Sequence, residues 1–261
     1  MKYDTYAENP IILEFKDVEF SYLNQKVIDC LSWSIRSGEF QTIIGRSGTG
    51  KSTFLDLASG LTPSQAGVIE YHGQKVVGPI SEIGFVFQQP TLLDWMSVSE
   101  NILLPIKIKR HLSKLDILKL NELLKVLGIE KLIDSFPWQL SGGQQSRVSI
   151  ARALINSPQI LMMDEPFASL DAITRDELQE LLLNICRTHN IAVIFVTHDV
   201  QEAVFLSDRV CLMASGCFVE CFQIDLPQIR LPEIRFDSDF NEQTSRIKMA
   251  LLSKVKPTHE L

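Results

Sequence analysis

The stretch Gly45-Arg46-Ser47-Gly48-Thr49-Gly50-Lys51-Ser52-Thr53 decides the fold, and it directly follows the apolar run at 40–44. Its pattern is G-x-x-x-x-G-K-[S/T], in which the glycines let the backbone bend so that successive N–H groups point inward. A helix that begins near Lys51 directs its positive end at the same point. Lys51 can reach β- and γ-phosphates, and the Ser52 hydroxyl can ligate Mg²⁺. Because an apolar run precedes the loop and a helix follows it, the stretch predicts a nucleoside triphosphate site rather than an ordinary Gly/Ser-rich turn.

Length, composition and charge limit the classes of protein. The 261 residues fit one large or two small domains, and a hydrophobic content of 45% allows a sizeable core. The net charge of -7 argues against a nucleic-acid binder, which usually has a basic surface. Residues 1–8 are polar and lack an apolar signal core, and the longest apolar stretch, at 191–196, is too short to span a bilayer. We therefore expect any membrane role to depend on a partner.

Five cysteines are spread over the chain without forming a C-x-x-C pair: Cys30, Cys186, Cys211, Cys217 and Cys221. The last three cluster in sequence, but their spacing matches no zinc pattern. We therefore favour small, buried, reduced thiols in a cytosolic protein over a metal site.

Two strands are predicted ahead of the phosphate-binding loop, at 11–22 and 27–35, with a turn at 23–25 between them. Such antiparallel strands form a side sheet. Tyr22 ends the first strand, where it either stacks on an adenine ring or serves as an ordinary strand-end aromatic. Taken alone, Tyr22 is better explained as an ordinary strand-end aromatic.

Polar side chains follow two of the predicted buried strands. Gln88 follows the strand at 83–87, at the sheet edge where an open α/β sheet places its ligand, so it is a candidate for contacting Mg²⁺ or the attacking water. A capping or loop-surface glutamine is an equally good local explanation. His198 follows the strand at 191–196 and could hydrogen-bond a γ-phosphate, although most single histidines are structural.

Helical periodicity replaces the strand pattern between residues 90 and 157. Ser113, with Asp116 three residues later, predicts a capping box, and Gly128 ends that helix. This segment is typical of a helical subdomain inserted into an α/β core.

A second glycine-rich helix start lies within the helical segment, at Leu140-Ser141-Gly142-Gly143-Gln144-Gln145. A hydroxyl, backbone N–H groups and a helix N-terminus together make a second anion site. The structural alternative is that Ser141 caps its helix, and both roles are compatible.

Two carboxylates, Asp164 and Glu165, follow the uninterrupted apolar run at 160–163, which is typical of a buried parallel strand. Asp164 is placed to hold Mg²⁺, usually through water, and Glu165 to accept a proton from the attacking water. A solvated acidic loop is the alternative, but such a loop does not need the preceding apolar run.

The C-terminal part is predicted to contain strands at 208–213 and 217–222, an extended tail at 225–239 and a last helix at 241–252.

Together these motifs have the order and spacing of the ATP-binding cassette (ABC) ATPases, and the resemblance covers about residues 11–222. The Leu-Ser-Gly-Gly-Gln signature separates this family from other phosphate-loop enzymes such as small-molecule kinases. The resemblance implies an α/β phosphate-loop core with an antiparallel β subdomain and an inserted helical subdomain at about 90–157, followed by a tail and helix at 223–261. The resemblance implies that Tyr22 stacks on adenine and that Lys51, Ser52 and Thr53 bind phosphate and Mg²⁺. It implies that Gln88 senses the γ-phosphate, that His198 positions it and that Glu165 is the general base. Asp171 would lie in the loop that crosses the dimer interface.

The resemblance also implies a head-to-tail dimer of two copies. ATP held by the loop at 45–53 of one copy would be covered by Ser141, Gly142, Gly143 and Gln144 of the other. A monomer cannot use this second anion site on its own nucleotide.

The segment Gln88–Trp95, followed by Val98 and Asn101, resembles the ATPases of nitrate, sulfonate and taurine importers, which usually have proline where this chain has Asp94. The tail at 224–227, with Arg230, resembles the same group, and pyrimidine-precursor importers share the Leu-Leu-x-Trp feature. The resemblance implies an ATPase subunit on the cytoplasmic face of a bacterial membrane, bound through Gln88–Trp95 to a permease and working indirectly with an extracytoplasmic solute-binding protein. The alternative is a soluble ABC ATPase that acts on nucleic acid, ribosomes or iron–sulfur assembly.

Overall fold

The computed structural model describes residues 9–23 and 25–254. The polar stretch 1–8, Asn24 of the predicted turn and the end of the predicted tail at 255–261 lie outside the described residues. The chain divides into two compact units. Of the described residues, the first unit combines 9–23 and 25–81 with 186–254, and the second is Glu82–Ile185.

The strands are, in chain order, β1 (Ile11–Tyr22), β2 (Gln25–Arg36), β3 (Phe40–Ile44), β4 (Ala66–Tyr71), β5 (Gln74–Lys75), β6 (Ile83–Val86), β7 (Ile160–Asp164), β8 (Ala192–Thr197), β9 (Arg209–Ala214) and β10 (Cys217–Gln223). The α-helices are α1 (Lys51–Ala58), α2 (Val98–Lys107), α3 (Lys114–Val126), α4 (Gly142–Leu154), α5 (Ala172–Thr188), α6 (Val200–Leu206) and α7 (Ser238–Lys254). Among the described residues, no helix is both long and apolar enough to cross a membrane.

The first unit contains the antiparallel side sheet, with strand order β2-β1-β4-β5. Its inner face packs on α1: the ring of Phe15 stacks on Phe54 with centroids 4.9 Å apart, and Trp33 meets Phe54 edge-on at 5.0 Å. The sequence-based prediction of this side sheet is therefore confirmed, and β1 has the predicted bounds.

The first unit also contains four neighbouring strands in the order β10-β9-β3-β8, in which β3 runs parallel to both β8 and β9. All residues of β3 and β8 are buried, as expected of strands covered on both faces. The one long polar side chain in β3, Gln41, accepts a hydrogen bond from the Trp33 indole at 2.8 Å and donates to the Ser34 carbonyl at 2.9 Å. These bonds compensate for its burial.

The prediction of buried, reduced thiols is wrong for Cys211 and Cys221, which form a disulfide, and for Cys30, which is exposed. Cys211 on β9 and Cys221 on β10 form a disulfide, with Cα atoms 4.1 Å apart. The two strands form a hairpin whose register places these residues directly opposite each other, which sequence spacing alone does not reveal. Of the three free thiols, Cys186 is buried, whereas Cys30 is exposed. Burial raises the pKa of Cys186 to about 12, so this thiol stays protonated.

The second unit contains the parallel pair β6 and β7 and the helices α2, α3 and α4. The predicted capping box is confirmed: the Ser113 hydroxyl accepts the Asp116 N–H, and Asp116 accepts the Ser113 N–H at 2.7 Å. The Arg110 guanidinium, together with the Ser113 donors, holds the pKa of the Asp116 carboxyl well below its usual range. The first turn of α3 is therefore fixed by local polar contacts.

The tail differs from the predicted extended chain. Residues Pro232–Phe236 form a 3₁₀ helix, and α7 begins at Ser238, three residues before the predicted start. Proline is well suited to the first turn of a helix, where its missing N–H needs no partner. Phe240 and Ile247 are buried where α7 packs against α6. The tail is thus part of the first unit's packing.

Candidate nucleotide-binding site

The phosphate-binding loop connects β3 to α1 in the first unit. Gly50 caps α1 with φ = 102°, and a Cβ at this position would lie 2.9 Å from the Val27 carbonyl oxygen, so glycine is required. The helix begins at Lys51, with its first backbone bond from Phe54 N–H to the Gly50 carbonyl at 2.8 Å. The loop therefore directs a helix N-terminus and its unpaired N–H groups at one point, as the sequence predicted.

The Lys51 side chain lies along the loop rather than in solvent. It is buried, and its ammonium donates to the carbonyl oxygens of Gly45 at 2.8 Å and Arg46 at 2.9 Å. The Thr49 hydroxyl also donates to the Arg46 carbonyl, at 2.9 Å. These contacts keep the Lys51 ammonium next to the backbone of the loop. A positive charge beside backbone N–H groups is a combination that binds phosphate oxygens.

The structure brings His198 to the same sheet edge as the loop. Ile44 and Thr197 are paired residues on the parallel strands β3 and β8, so Gly45 and His198 leave neighbouring strand ends. His198 is exposed. Asp199 then caps α6 by accepting the Gln201 N–H at 2.7 Å. The ligand-side edge predicted from the sequence is thus present in the first unit.

Tyr22 ends β1, as predicted, and is 51% exposed. Its ring meets Phe20 edge-on with centroids 4.9 Å apart. An aromatic face is therefore accessible at a strand end, although the contact with Phe20 also fits the ordinary structural role.

The second unit has an equivalent edge. Val86 and Met163 are paired on the parallel strands β6 and β7, so Gln88 and the Asp164–Glu165 pair follow neighbouring strand ends. Glu165 has φ = +45°, a left-handed conformation that is rare for residues other than glycine. A carboxylate in such a conformation at a strand end is typical of functional sites.

The signature segment begins α4 in the second unit. Ser141 is exposed and accepts the Gln144 N–H at 3.3 Å, while Gln144 accepts the Ser141 N–H at 2.9 Å. The predicted cap is confirmed. Because Ser141 and Gly142 are both exposed, the helix start is also accessible to an anion.

Asp171 lies beside the signature in the same unit. It accepts the Thr174 N–H at 3.0 Å, and this backbone bond, followed by the Thr174 side chain, lowers the pKa of Asp171. A Cβ on Gly143 would lie 2.7 Å from the Thr174 methyl group. The structure therefore places the signature and the start of α5 in direct contact.

Two side chains hold the segment after Gln88: Arg152, which the sequence does not identify, and Asn101, which the sequence identifies only through the family resemblance. Arg152 on α4 donates to the carbonyl oxygens of Pro90 and Thr91, both at 2.8 Å. Buried Asn101 accepts the Leu93 N–H at 2.8 Å and donates to the Met96 carbonyl at 3.0 Å. The sequence does not reveal that Arg152 holds this segment, because its partners are backbone carbonyls about sixty residues away in the chain.

The residues available for a cation are oxygen donors. No three His, Cys, Asp or Glu side chains come together in a metal-binding group within residues 9–23 and 25–254. Ser52 of the first unit offers a hydroxyl, and Gln88 and Asp164 of the second unit offer an amide and a carboxylate; each is an oxygen ligand of a type that Mg²⁺ accepts.

The loop, its helix and the parallel strands define a phosphate-loop nucleotide-binding protein. The chain belongs to the ABC transporter family, which matches residues 28–168. Its members are ATPases, so this chain is an ATP-binding subunit that hydrolyses ATP, and the predicted family and fold class are confirmed.

Relatives and solved structures match along most of the chain. An uncharacterised ABC transporter ATP-binding protein of Methanocaldococcus jannaschii is 40% identical over 92% of this chain and 90% of its own length. The taurine import ATP-binding protein of Escherichia coli is 38% identical over 78% of this chain and 80% of its own length. The aliphatic sulfonates import ATP-binding protein of Bacillus cereus is 40% identical over 85% of this chain and 87% of its own length. A dimeric ATP-binding cassette, solved in a post-hydrolysis state with ADP and Pi, aligns with a TM-score of 0.73 and 30% identity over 83% of this chain and all of its own.

Proposed function

We propose that the chain is the ATP-hydrolysing subunit of a bacterial ABC importer that moves a small solute through a separate permease. The similarity to taurine and sulfonate import subunits over most of their length carries the proposal. Nitrate-, sulfonate- or taurine-like solutes, or pyrimidine precursors, are the substrate classes that the Gln88–Trp95 segment favours. The import relatives support this function over a soluble ATPase acting on nucleic acid, ribosomes or iron–sulfur assembly.

The proposed nucleotide contacts are those that the family resemblance implies, and the chemistry of each side chain is compatible with them. Tyr22 stacks on adenine, the loop N–H groups and Lys51 bind the phosphates, and His198 orients the γ-phosphate. Glu165 accepts the proton of the attacking water. Gln88 senses the γ-phosphate from the loop that Arg152 holds.

Ser52, Gln88 and Asp164 would hold Mg²⁺, because their hard oxygen atoms fit this ion. Held there, the ion would supply positive charge that offsets the negative charge developing during phosphoryl transfer. The protein contributes the ligands and their orientation.

The working unit is a head-to-tail dimer at the cytoplasmic face of the membrane, peripheral through the permease. The solved cassette with similar fold is a dimer, and the exposed helix start at Ser141 supports a second anion site in each copy. ATP binding closes the dimer and drives the permease between states, and hydrolysis reopens it. The domain boundaries belong to this proposal: an ATPase domain at 11–222 with a helical subdomain at about 90–157, and a tail at 223–261.

The permease contact is the loop that carries Trp95. The Trp95 side chain is exposed, with 73% of its surface accessible, while Leu92 and Leu93 are half-buried. Asn101 binds the backbone on both sides of Trp95, and Arg152 binds it at Pro90 and Thr91. A large aromatic side chain on a pre-ordered loop is a typical interface anchor. An extracytoplasmic solute-binding protein acts on the other side of that permease.

Replacing Trp95 is expected to release the permease. Trp95→Ala should lower the amount of permease that co-purifies with the tagged chain from detergent-solubilised membranes by about tenfold or more, the loss expected for a central aromatic anchor. The measurement is quantitative mass spectrometry of the membrane proteins recovered per tagged chain.

Trp138→Ala is the matched control. Trp138 lies in the same unit, is 65% exposed and stacks on Phe136 at 4.7 Å. It should leave permease recovery unchanged. Equal recovery with Trp95→Ala would contradict the proposed contact, and recovery of the wild-type chain only in ribosomal or nucleic-acid fractions would favour the alternative function.

A further inference from the structure

The tail contains a buried arginine that the proposed nucleotide contacts do not use. The Arg230 side chain is only 1% exposed. A guanidinium keeps its charge at all physiological pH values, so burial requires hydrogen-bond partners for its donors. The positions of those partners indicate what Arg230 does.

Arg230 binds the C-terminal end of α6. Its Nη1 donates to the carbonyl oxygens of Val204 at 3.1 Å, Phe205 at 2.8 Å and Ser207 at 2.7 Å. The last carbonyl groups of a helix have no partner within the helix, and a cation there is favoured by the helix dipole. Arg230 therefore caps α6 from a separate segment of the chain.

The guanidinium is itself anchored on its other side. Its Nε donates to the Pro227 carbonyl at 3.0 Å, and its Nη2 lies 3.8 Å from Asp208 Oδ1. Asp208 Oδ2 accepts the Phe40 N–H at 2.9 Å, at the start of β3. One buried cation thus joins the tail to α6 and, through Asp208, to the strand that leads into the phosphate-binding loop.

The opposite end of α6 holds the backbone around His198. The Thr197 hydroxyl accepts the Asp199 N–H at 3.0 Å and donates to Glu202 in the first turn of α6 at 2.7 Å. Asp199 accepts the Glu202 N–H at 3.3 Å. His198 therefore lies between two residues that are both fixed to α6. Because α6 has only seven residues, about two turns separate its C-terminal end from the backbone next to His198. A displacement of that end would therefore also displace His198.

We propose that Arg230 is a positioning residue for ATP hydrolysis, which acts through α6 on the placement of His198. The inference rests on the proposed role of His198 at the γ-phosphate. It predicts a loss of turnover without a loss of ATP affinity, because the Lys51 loop keeps its own contacts with Gly45 and Arg46.

Steady-state ATP hydrolysis by the full chain tests the first part. Arg230→Met should lower kcat about tenfold and leave KM for ATP within about twofold, since a small misplacement of a group at the reacting centre mainly affects turnover. Arg230→Lys, which keeps one charged donor group, should recover part of the loss. Arg246→Met is the control, because Arg246 is exposed and lies over the Phe222 ring at 5.0 Å. It should keep wild-type kcat, whereas a wild-type kcat in Arg230→Met would overturn the proposal.

A double-mutant cycle with His198→Ala separates positioning from general stability. If Arg230 acts through His198, adding Arg230→Met to His198→Ala should change kcat less than about twofold. Equal losses with and without His198 would show a purely structural role and overturn the proposal. If Arg230→Met does not fold, the same cycle is run with Arg230→Lys and judged by the same criterion. Wild-type turnover in His198→Ala alone would overturn the role of His198 itself, and with it the route from Arg230.

Discussion

Glu165→Gln is expected to bind ATP normally and to lose nearly all turnover. Glutamine has the same size and shape, so it can keep the left-handed backbone at this position, where φ is +45°. It cannot accept a proton from the attacking water. General-base catalysis contributes about 10²- to 10⁴-fold, so we expect kcat to fall about a thousandfold.

The measurement pairs steady-state hydrolysis with equilibrium binding of ATP. The dissociation constant for ATP should stay within about threefold of wild type, since the substitution removes an interaction made mainly in the transition state. Glu177→Gln is the matched control. Glu177 is an exposed carboxylate of the same unit whose ion pair with Arg147 spans 3.2 Å, and such pairs contribute little. Turnover of Glu165→Gln within tenfold of wild type would contradict the assignment of the base.

Ser141→Arg is the second large effect that we expect. The substitution puts a long cation at the exposed start of α4, where the other copy's nucleotide would be covered. ATP binding to the isolated chain should stay normal because the loop at 45–53 is unchanged. Hydrolysis should fall at least about a hundredfold, the scale of losing a preorganised group at the reacting phosphate.

The control addresses helix stability. Ser141 and Ser113 each cap a helix of the second unit through the same box of reciprocal hydrogen bonds. Removing either cap costs about 1 kcal/mol of stability. Ser113→Arg should therefore lower the midpoint of thermal unfolding about as much as Ser141→Arg and leave hydrolysis intact. Equal losses of hydrolysis in both variants would show that only the fold is affected.

Local patterns made much of this architecture predictable. The phosphate-binding loop, β1 and the capping box at Ser113 depend on residues close together in sequence, and the structure has them where the sequence indicated. The strand-end positions of Gln88, Asp164 and His198 were predictable because each follows a buried apolar run, whereas their roles stay predictions. The carboxyl ends of parallel strands meet at one edge of a sheet, so polar residues that directly follow such runs are recognisable as site candidates by their position in the sequence.

Contacts between distant segments were not predictable in the same way. The disulfide between Cys211 and Cys221 depends on strand register. The 3₁₀ helix at Pro232–Phe236 depends on packing of the tail, not on its extended-looking composition. Arg152 and Arg230 bind main-chain carbonyl groups. Every residue has such a group, so no sequence pattern reveals which carbonyls an arginine will bind.

A mixing experiment tests the central claim most directly, namely that Lys51 of one copy and Ser141 of another form one ATP site. Lys51→Ala and Ser141→Arg chains are each expected to be inactive alone, but their mixed dimer would have one site in which both residues are intact. Mixing them with ATP should restore hydrolysis well above the sum of the two separate chains. A chain with both substitutions, mixed with wild-type chain, forms mixed dimers without an intact site, so adding it should lower hydrolysis below that of the same amount of wild-type chain alone. If the mixed single variants form dimers but stay as inactive as each alone, the site is not shared between two copies.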